Sequence, residues 1–210
     1  MTVRKLPITI RRAFVAAAGA ALLGAAPAWA GGQAISQTAA IAAIPSTLQV
    51  SVGGVDADGV LDAQYSGYGR NISPAISWSA PPPRTRALAL AIEDPDSPSP
   101  QPTVHWVAWN IPPDVSDLHR AVRNMDELER PPGMRQGRNS HGGIGYTGPH
   151  PPVGDPAHHY HVQVFALDRR LGLGGGADRD ALARALAGHV IARGETVVLF
   201  AEAPPRPPRG

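Results

Sequence analysis

Apolar and polar positions alternate, or run together briefly, in several short stretches of the chain. Residues 47–52, Thr-Leu-Gln-Val-Ser-Val, alternate and predict a first strand. Residues 76–78 alternate again, just before the stop at Pro81-Pro82-Pro83. Residues 87–92 form a short apolar run ending at Glu93-Asp94, the pattern of a buried strand. Residues 105–111 predict another strand, closed by Pro112-Pro113. Strict alternation there puts His105, Val107, Trp109 and Ile111 on one face and Trp106, Ala108 and Asn110 on the other. Residues 160–167 and 196–200 complete the strands. Residues 178–187 have helical spacing instead, with Leu182, Leu186 and His189 on one stripe, an acidic start and Gly188 as a stop. Residues 56–69 are turn-rich, and residues 114–140 read as a long surface loop with at most a helical turn. No internal repeat is visible. Short, turn-bounded strands with one late helix predict a β-sheet or β-sandwich domain.

The first thirty residues have a different pattern. A basic start (Arg4, Lys5, Arg11, Arg12) precedes an apolar run over residues 13–26, closed by the small-x-small triplet Ala28-Trp29-Ala30. These are the three parts of a signal peptide cleaved near Ala30, and the run is too short for a good membrane span. The expected location is periplasmic or secreted, with no stable membrane insertion. Arg11-Arg12 hints at twin-arginine export, although Ile10 stands where Ser or Thr would be expected. Residues 31–45 are small and weakly patterned and read as a linker, residues 46–202 as one domain, and the Pro- and Arg-rich residues 203–210 as a disordered tail.

The leader changes the charge balance. It holds four of the 19 basic residues and none of the 17 acidic ones, so the remainder has 15 basic against 17 acidic, a net −2. No basic field is left to argue for nucleic acid. The chain has no cysteine, which excludes thiol catalysis, cysteine-ligated metals and disulfides. An apolar core has to hold the fold, and about 180 residues suffice for one.

Three segments carry candidate chemistry. The first is Glu93-Asp94-Pro95-Asp96-Ser97-Pro98, at a strand end. Pro95 favours an extended Asp94, so Asp94 and Asp96 are expected to point the same way and to need hydrogen-bond donors. The second is His105, opening an apolar strand. The third runs from Gly143 to Asp168, a Gly- and Pro-rich loop followed by His158-His159-Tyr160-His161. Its backbone N–H groups are expected to be free to cradle an anion. His158 and Tyr160 share one strand face, and His159 and His161 share the other.

Together these segments resemble the phosphatidylethanolamine-binding proteins, in their bacterial Raf-kinase-inhibitor-like branch. The resemblance runs from Asn71-Ile72-Ser73-Pro74 to Phe200. It rests on Asp94-Pro95-Asp96-x-Pro98, on His105-Trp106-Val107-x-x-Asn110-Ile111-Pro112, on the Gly145–Tyr160 motif, and on the helix-to-strand segment 186–195. It implies a mainly β fold, with a central antiparallel sheet packed against a smaller sheet and one or two short helices near the C-terminus. It also implies a small anion pocket built from Asp94, Asp96, His105, Tyr146, Gly148, Pro149, His158 and Tyr160, with imidazoles whose pKa is raised by a carboxylate partner. Three positions depart from the family pattern. Ser97 stands where alanine is usual, His159 where arginine is common, and the last strand lacks an aromatic ending.

The implied ligand is a small anion such as phosphate or phosphoethanolamine, with no cofactor. A protein partner, a peptidase or a kinase, is implied as a second possibility. The remaining alternative is a hydrolase or metal-dependent enzyme using Asp94, His105 and His158. No Gly-x-Ser-x-Gly motif supports a serine hydrolase. His159 and His161 without a fixed carboxylate make only an adventitious metal site.

Overall fold

The computed structural model describes residues 32–202. The signal-peptide and tail assignments lie outside those residues. Eight strands form two antiparallel sheets. The smaller has the order β1-β2-β5, from β1 (Val50–Val52), β2 (Ile76–Trp78) and β5 (Asp117–Leu118). The larger has the order β6-β4-β3-β7-β8, from β3 (Ala87–Asp94), β4 (Thr103–Ile111), β6 (Arg135–Gln136), β7 (His158–Leu167) and β8 (Val190–Phe200). Two short helices accompany them, α1 (Ala39–Ala42) and α2 (Arg179–Leu186). Asp178 caps α2 by accepting the Ala181 N–H at 2.8 Å.

Strand β3 shows why the larger sheet is buried on both faces. Its residues alternate large and small. Leu88, Leu90 and Ile92 point into the core between the two sheets, and Ala87, Ala89 and Ala91 point to the opposite face. The alanines leave room for Ile35, Ile41, Leu182 and Leu186, which come from the N-terminal segment and α2. Residues 33–44, expected to be a linker, are therefore part of the fold. Ala34, Ile35 and Ile41 are fully buried. The segment's backbone is held by side chains far along the chain. Ile35 N–H donates to Glu93 at 2.8 Å and Ser36 N–H to Gln163 at 2.7 Å, while Arg179 donates to the Gln33 carbonyl at 2.8 Å.

Two further expectations change. The loop 114–140 contains β5 and β6 and no helical turn. It is pinned inward by Gln136, whose amide donates to the Arg123 and Met125 carbonyls and accepts from the Trp106 indole, each at 2.7 Å. Strand β8 starts at Val190, not 196, because Arg193 and Glu195 interrupt the apolar alternation with side chains that find partners at the sheet surface.

Strand β4 does not alternate strictly either. Ile92 pairs with Trp106 but Glu93 pairs with Val104, so His105 is the extra residue of a β-bulge. A second irregularity falls where Leu88 pairs with Ile111 and Leu90 with Ala108, beside Asn110 at φ 59°. As a result Trp106, Ala108 and Ile111 face the inter-sheet core, and Val104, Val107 and Trp109 the outer one. The face expected to hold His105, Val107, Trp109 and Ile111 together is split by these two bulges.

Candidate functional site

The end of β3 and the starts of β4 and β7 meet the loop over residues 145–157. The bulge at His105 turns its ring into this corner, edge-on to Tyr160 with centroids 5.1 Å apart. Asp94, the last residue of β3, accepts a hydrogen bond from His158 Nδ1 at 2.8 Å through one oxygen. Its other oxygen accepts the Asp96 N–H at 2.8 Å, closing the Asp-Pro-Asp turn. Both side chains of the Asp94–His158 pair are about nine-tenths buried.

Asp96 does not join Asp94 at a common point. It turns to the other face of β7 and accepts from both the backbone N–H (2.8 Å) and Nδ1 (2.7 Å) of His159. Burial pushes the Asp96 carboxyl up, but the His159 bonds outweigh it and hold it below its usual range. His159, placed by the alternation on the face away from His158, is the clasp of the Asp-Pro-Asp-Ser turn. His161 is engaged on that same face by Glu195.

His105 also departs from expectation. It is 2% exposed, and Nδ1 lies 2.9 Å from the Thr147 carbonyl. Burial lowers its pKa to about 4, against the opposing pull of the Thr147 carbonyl and Asp94, so the ring is neutral near pH 7. The expected upward shift is reversed here because desolvation outweighs the carboxylate.

The loop amides are not free. Gly145 N–H donates to the Gly137 carbonyl, Tyr146 N–H to Asn124, Thr147 N–H to the His105 carbonyl and Gly148 N–H to Asn71, at 2.6 to 3.0 Å. Asn71 and Asn124 thus stiffen the loop from elements distant in sequence. Gly148 is required there, since a Cβ would run into the Tyr65 carbonyl. Tyr146 is a wall residue whose hydroxyl donates to the Tyr65 carbonyl at 2.7 Å. Its ring packs edge-on to Trp106. Pro149 is buried beside it. At the rim, Tyr68 stacks on His150 with centroids 4.1 Å apart and donates to the Pro151 carbonyl.

Three polar atoms in this region are buried with no hydrogen-bond partner among the described residues: His105 Nε2, the Tyr160 hydroxyl and the Ser97 hydroxyl. Burial and the nearby Asp94 keep Tyr160 a neutral phenol by raising its pKa. An orphaned buried polar atom is destabilising by about 1–3 kcal/mol. Among the described residues, no group of three His, Asp or Glu side chains is arranged to hold a metal ion, and no helix is long and apolar enough to cross a membrane.

Comparison with known proteins agrees with this architecture. Among relatives, a UPF0098 protein of Methanothermobacter thermautotrophicus is 40% identical over 142 residues, 68% of this chain and 91% of that protein. A UPF0098 protein of Pyrococcus abyssi is 49% identical over 96 residues, 46% of this chain. The chain spans about half (53%) of the length of that Pyrococcus relative. The crystal structure of Escherichia coli YbcL, described as a new member of the mammalian PEBP family, superposes with a TM-score of 0.68 at 30% identity, covering 74% of this chain and 99% of that one. The phosphatidylethanolamine-binding protein family profile matches residues 52–201. The chain belongs to the phosphatidylethanolamine-binding protein family.

Proposed function

We propose that the chain is an exported binding protein for a small anion, phosphate or a phosphoryl head group, seated among His105, His158, Tyr160 and Ser97. The observation that carries this reading is the set of orphaned polar atoms at the end of β3 and the start of β4, next to the Asp94–His158 pair. The two hydroxyls are donors an oxyanion accepts, and both imidazoles turn Nε2 away from an already satisfied Nδ1. The loop 145–148 contributes shape and rigidity, its amides being engaged. The hydrolase alternative gains no support: among the described residues, no serine hydroxyl is hydrogen-bonded to a histidine ring. A protein partner would read the exposed rim at Tyr68, His150 and Val153 and would leave the buried atoms untouched.

The test is an NMR titration of isotope-labelled protein with phosphate and phosphoethanolamine. Saturable shifts are expected at the His105 and His158 rings and the Tyr160 amide. No shift at millimolar ligand would remove the anion reading. Export rests on the basic start, apolar run and Ala28-Trp29-Ala30 triplet. Mass analysis of the protein released from the periplasm should give Gly31 as its first residue, and an intact Met1 would count against export.

A further inference from the structure

The tautomer of His105 is fixed by its partner. A carbonyl oxygen can only accept, so the contact at 2.9 Å to the Thr147 carbonyl requires the hydrogen to be on Nδ1. The neutral ring then presents a bare lone pair at Nε2, and that atom is buried without a partner. His158 shares only the Nδ1 contact, to Asp94 at 2.8 Å, and its Nε2 lies 3.9 Å from the Asp155 carboxylate. The other groups around His105 do not change its sign. Asp94 from β3 and the Thr147 and Gly148 carbonyls favour a charged ring, His141 and burial oppose it, and burial outweighs the rest, while the Tyr160 and Ser97 hydroxyls have no partner among the described residues.

Resting on the anion site proposed above, we propose that His105 Nε2 makes this site selective for phosphoryl groups that carry a proton, namely phosphate and phosphate monoesters, over fully ionised oxyanions such as sulfate and phosphodiesters. The ligand's P–O–H donates to Nε2, and its remaining oxygens accept from the Tyr160 and Ser97 hydroxyls. No covalent bond is made or broken.

Magnitudes favour a proton carried by the ligand over one taken up by the ring. Burial holds His105 to a pKa of about 4, so at pH 7 the imidazolium is suppressed roughly a thousandfold. A phosphate monoester has its second pKa near 6, so its proton-bearing form is reduced only about tenfold at the same pH. Sulfate and a phosphodiester have no proton to give near neutrality, and they would leave Nε2 facing an ionised oxygen. Sites whose buried polar groups are left unpaired by an analogue reject it strongly.

The test is a calorimetric ladder on the unmodified protein at pH 7, using phosphate, phosphoethanolamine, sulfate and glycerophosphoethanolamine. The last is the diester counterpart of the monoester, so the pair also separates a free phosphoryl metabolite from a lipid head group as the source. Phosphate and phosphoethanolamine are expected to bind at least about tenfold more tightly than sulfate or the diester. Sulfate or diester binding equal to phosphate would overturn the selectivity while leaving the anion site standing. Absence of binding by all four would overturn both. In the folded variant His105→Gln, whose amide can donate, the sulfate penalty is expected to shrink, and an unchanged penalty would remove His105 as its origin.

Discussion

Glu93→Ala is expected to destabilise the protein by about 3–5 kcal/mol, the range found when one partner of a buried ion pair is removed. The side chain is wholly buried and gathers three donors: the Ile35 N–H at 2.8 Å, the Gln163 amide at 2.7 Å and Arg179 Nε at 2.8 Å. Removal strands all three, and Arg179 is itself largely buried at 15% side-chain exposure. Arg179→Met should have a similar effect from the other side, leaving a carboxylate with two neutral donors. The double variant should fall well short of the sum, because each change removes what the other leaves unpaired. Chemical denaturation measures the loss, and hydrogen exchange at the Ile35 and Ser36 amides localises it. A loss below about 1 kcal/mol, with those amides still protected, would show that the apolar contacts of Ile35 and Ile41 hold the segment unaided.

The second large effect is on acid stability. His105 has its folded-state pKa lowered to about 4 from an ordinary 6.5. Between those values the unfolded chain binds a proton that the folded one refuses, so stability falls as pH falls from 6.5 towards 4 and is unaffected by this group above that window. The shift corresponds to a loss on the order of 3 kcal/mol across the window. The lowered Asp96 and Glu195 carboxyls act in the same direction but below the ordinary carboxylate range. The comparison that isolates His105 is the pH dependence of the unfolding free energy in the unmodified protein and in His105→Gln. The variant is expected to lack the decline between pH 6.5 and 4. Parallel curves would mean that the ring protonates in place.

The strands and site segments were legible in the sequence because their signals are local. Alternation marked β4 and β7, Pro112-Pro113 marked a stop, and Asp94, His105 and His158 stood out as polar residues at the ends of apolar runs. The sequence did not disclose what depends on partners distant along the chain. The docking of residues 33–44 rests on Glu93, Gln163 and Arg179, and a run of small residues gives no periodic hint of them. The bulge at His105 is a mismatch between two strands and cannot be seen in one. The loop amides were expected to be free because Asn71 and Asn124, which occupy two of them, lie 77 and 22 residues away. His159 was discounted by strand alternation, which locates its face but not the Asp96 carboxylate that folds over to meet it.

Glu93 and Asp94 are neighbours on one strand, so their side chains leave opposite faces of the sheet. One grips the amino-terminal segment, and the other orients His158. The contacts of that segment span 58 residues to Glu93, 127 to Gln163, 146 to Arg179 and 151 from Ala42 to Arg193. A ribosome or an export channel that delivers the chain from its start releases residues 33–44 first, and their docking surface is complete only when β8 has followed. The earliest-made piece of the domain therefore has to wait for its partners on β3, β7, α2 and β8 before its seat exists.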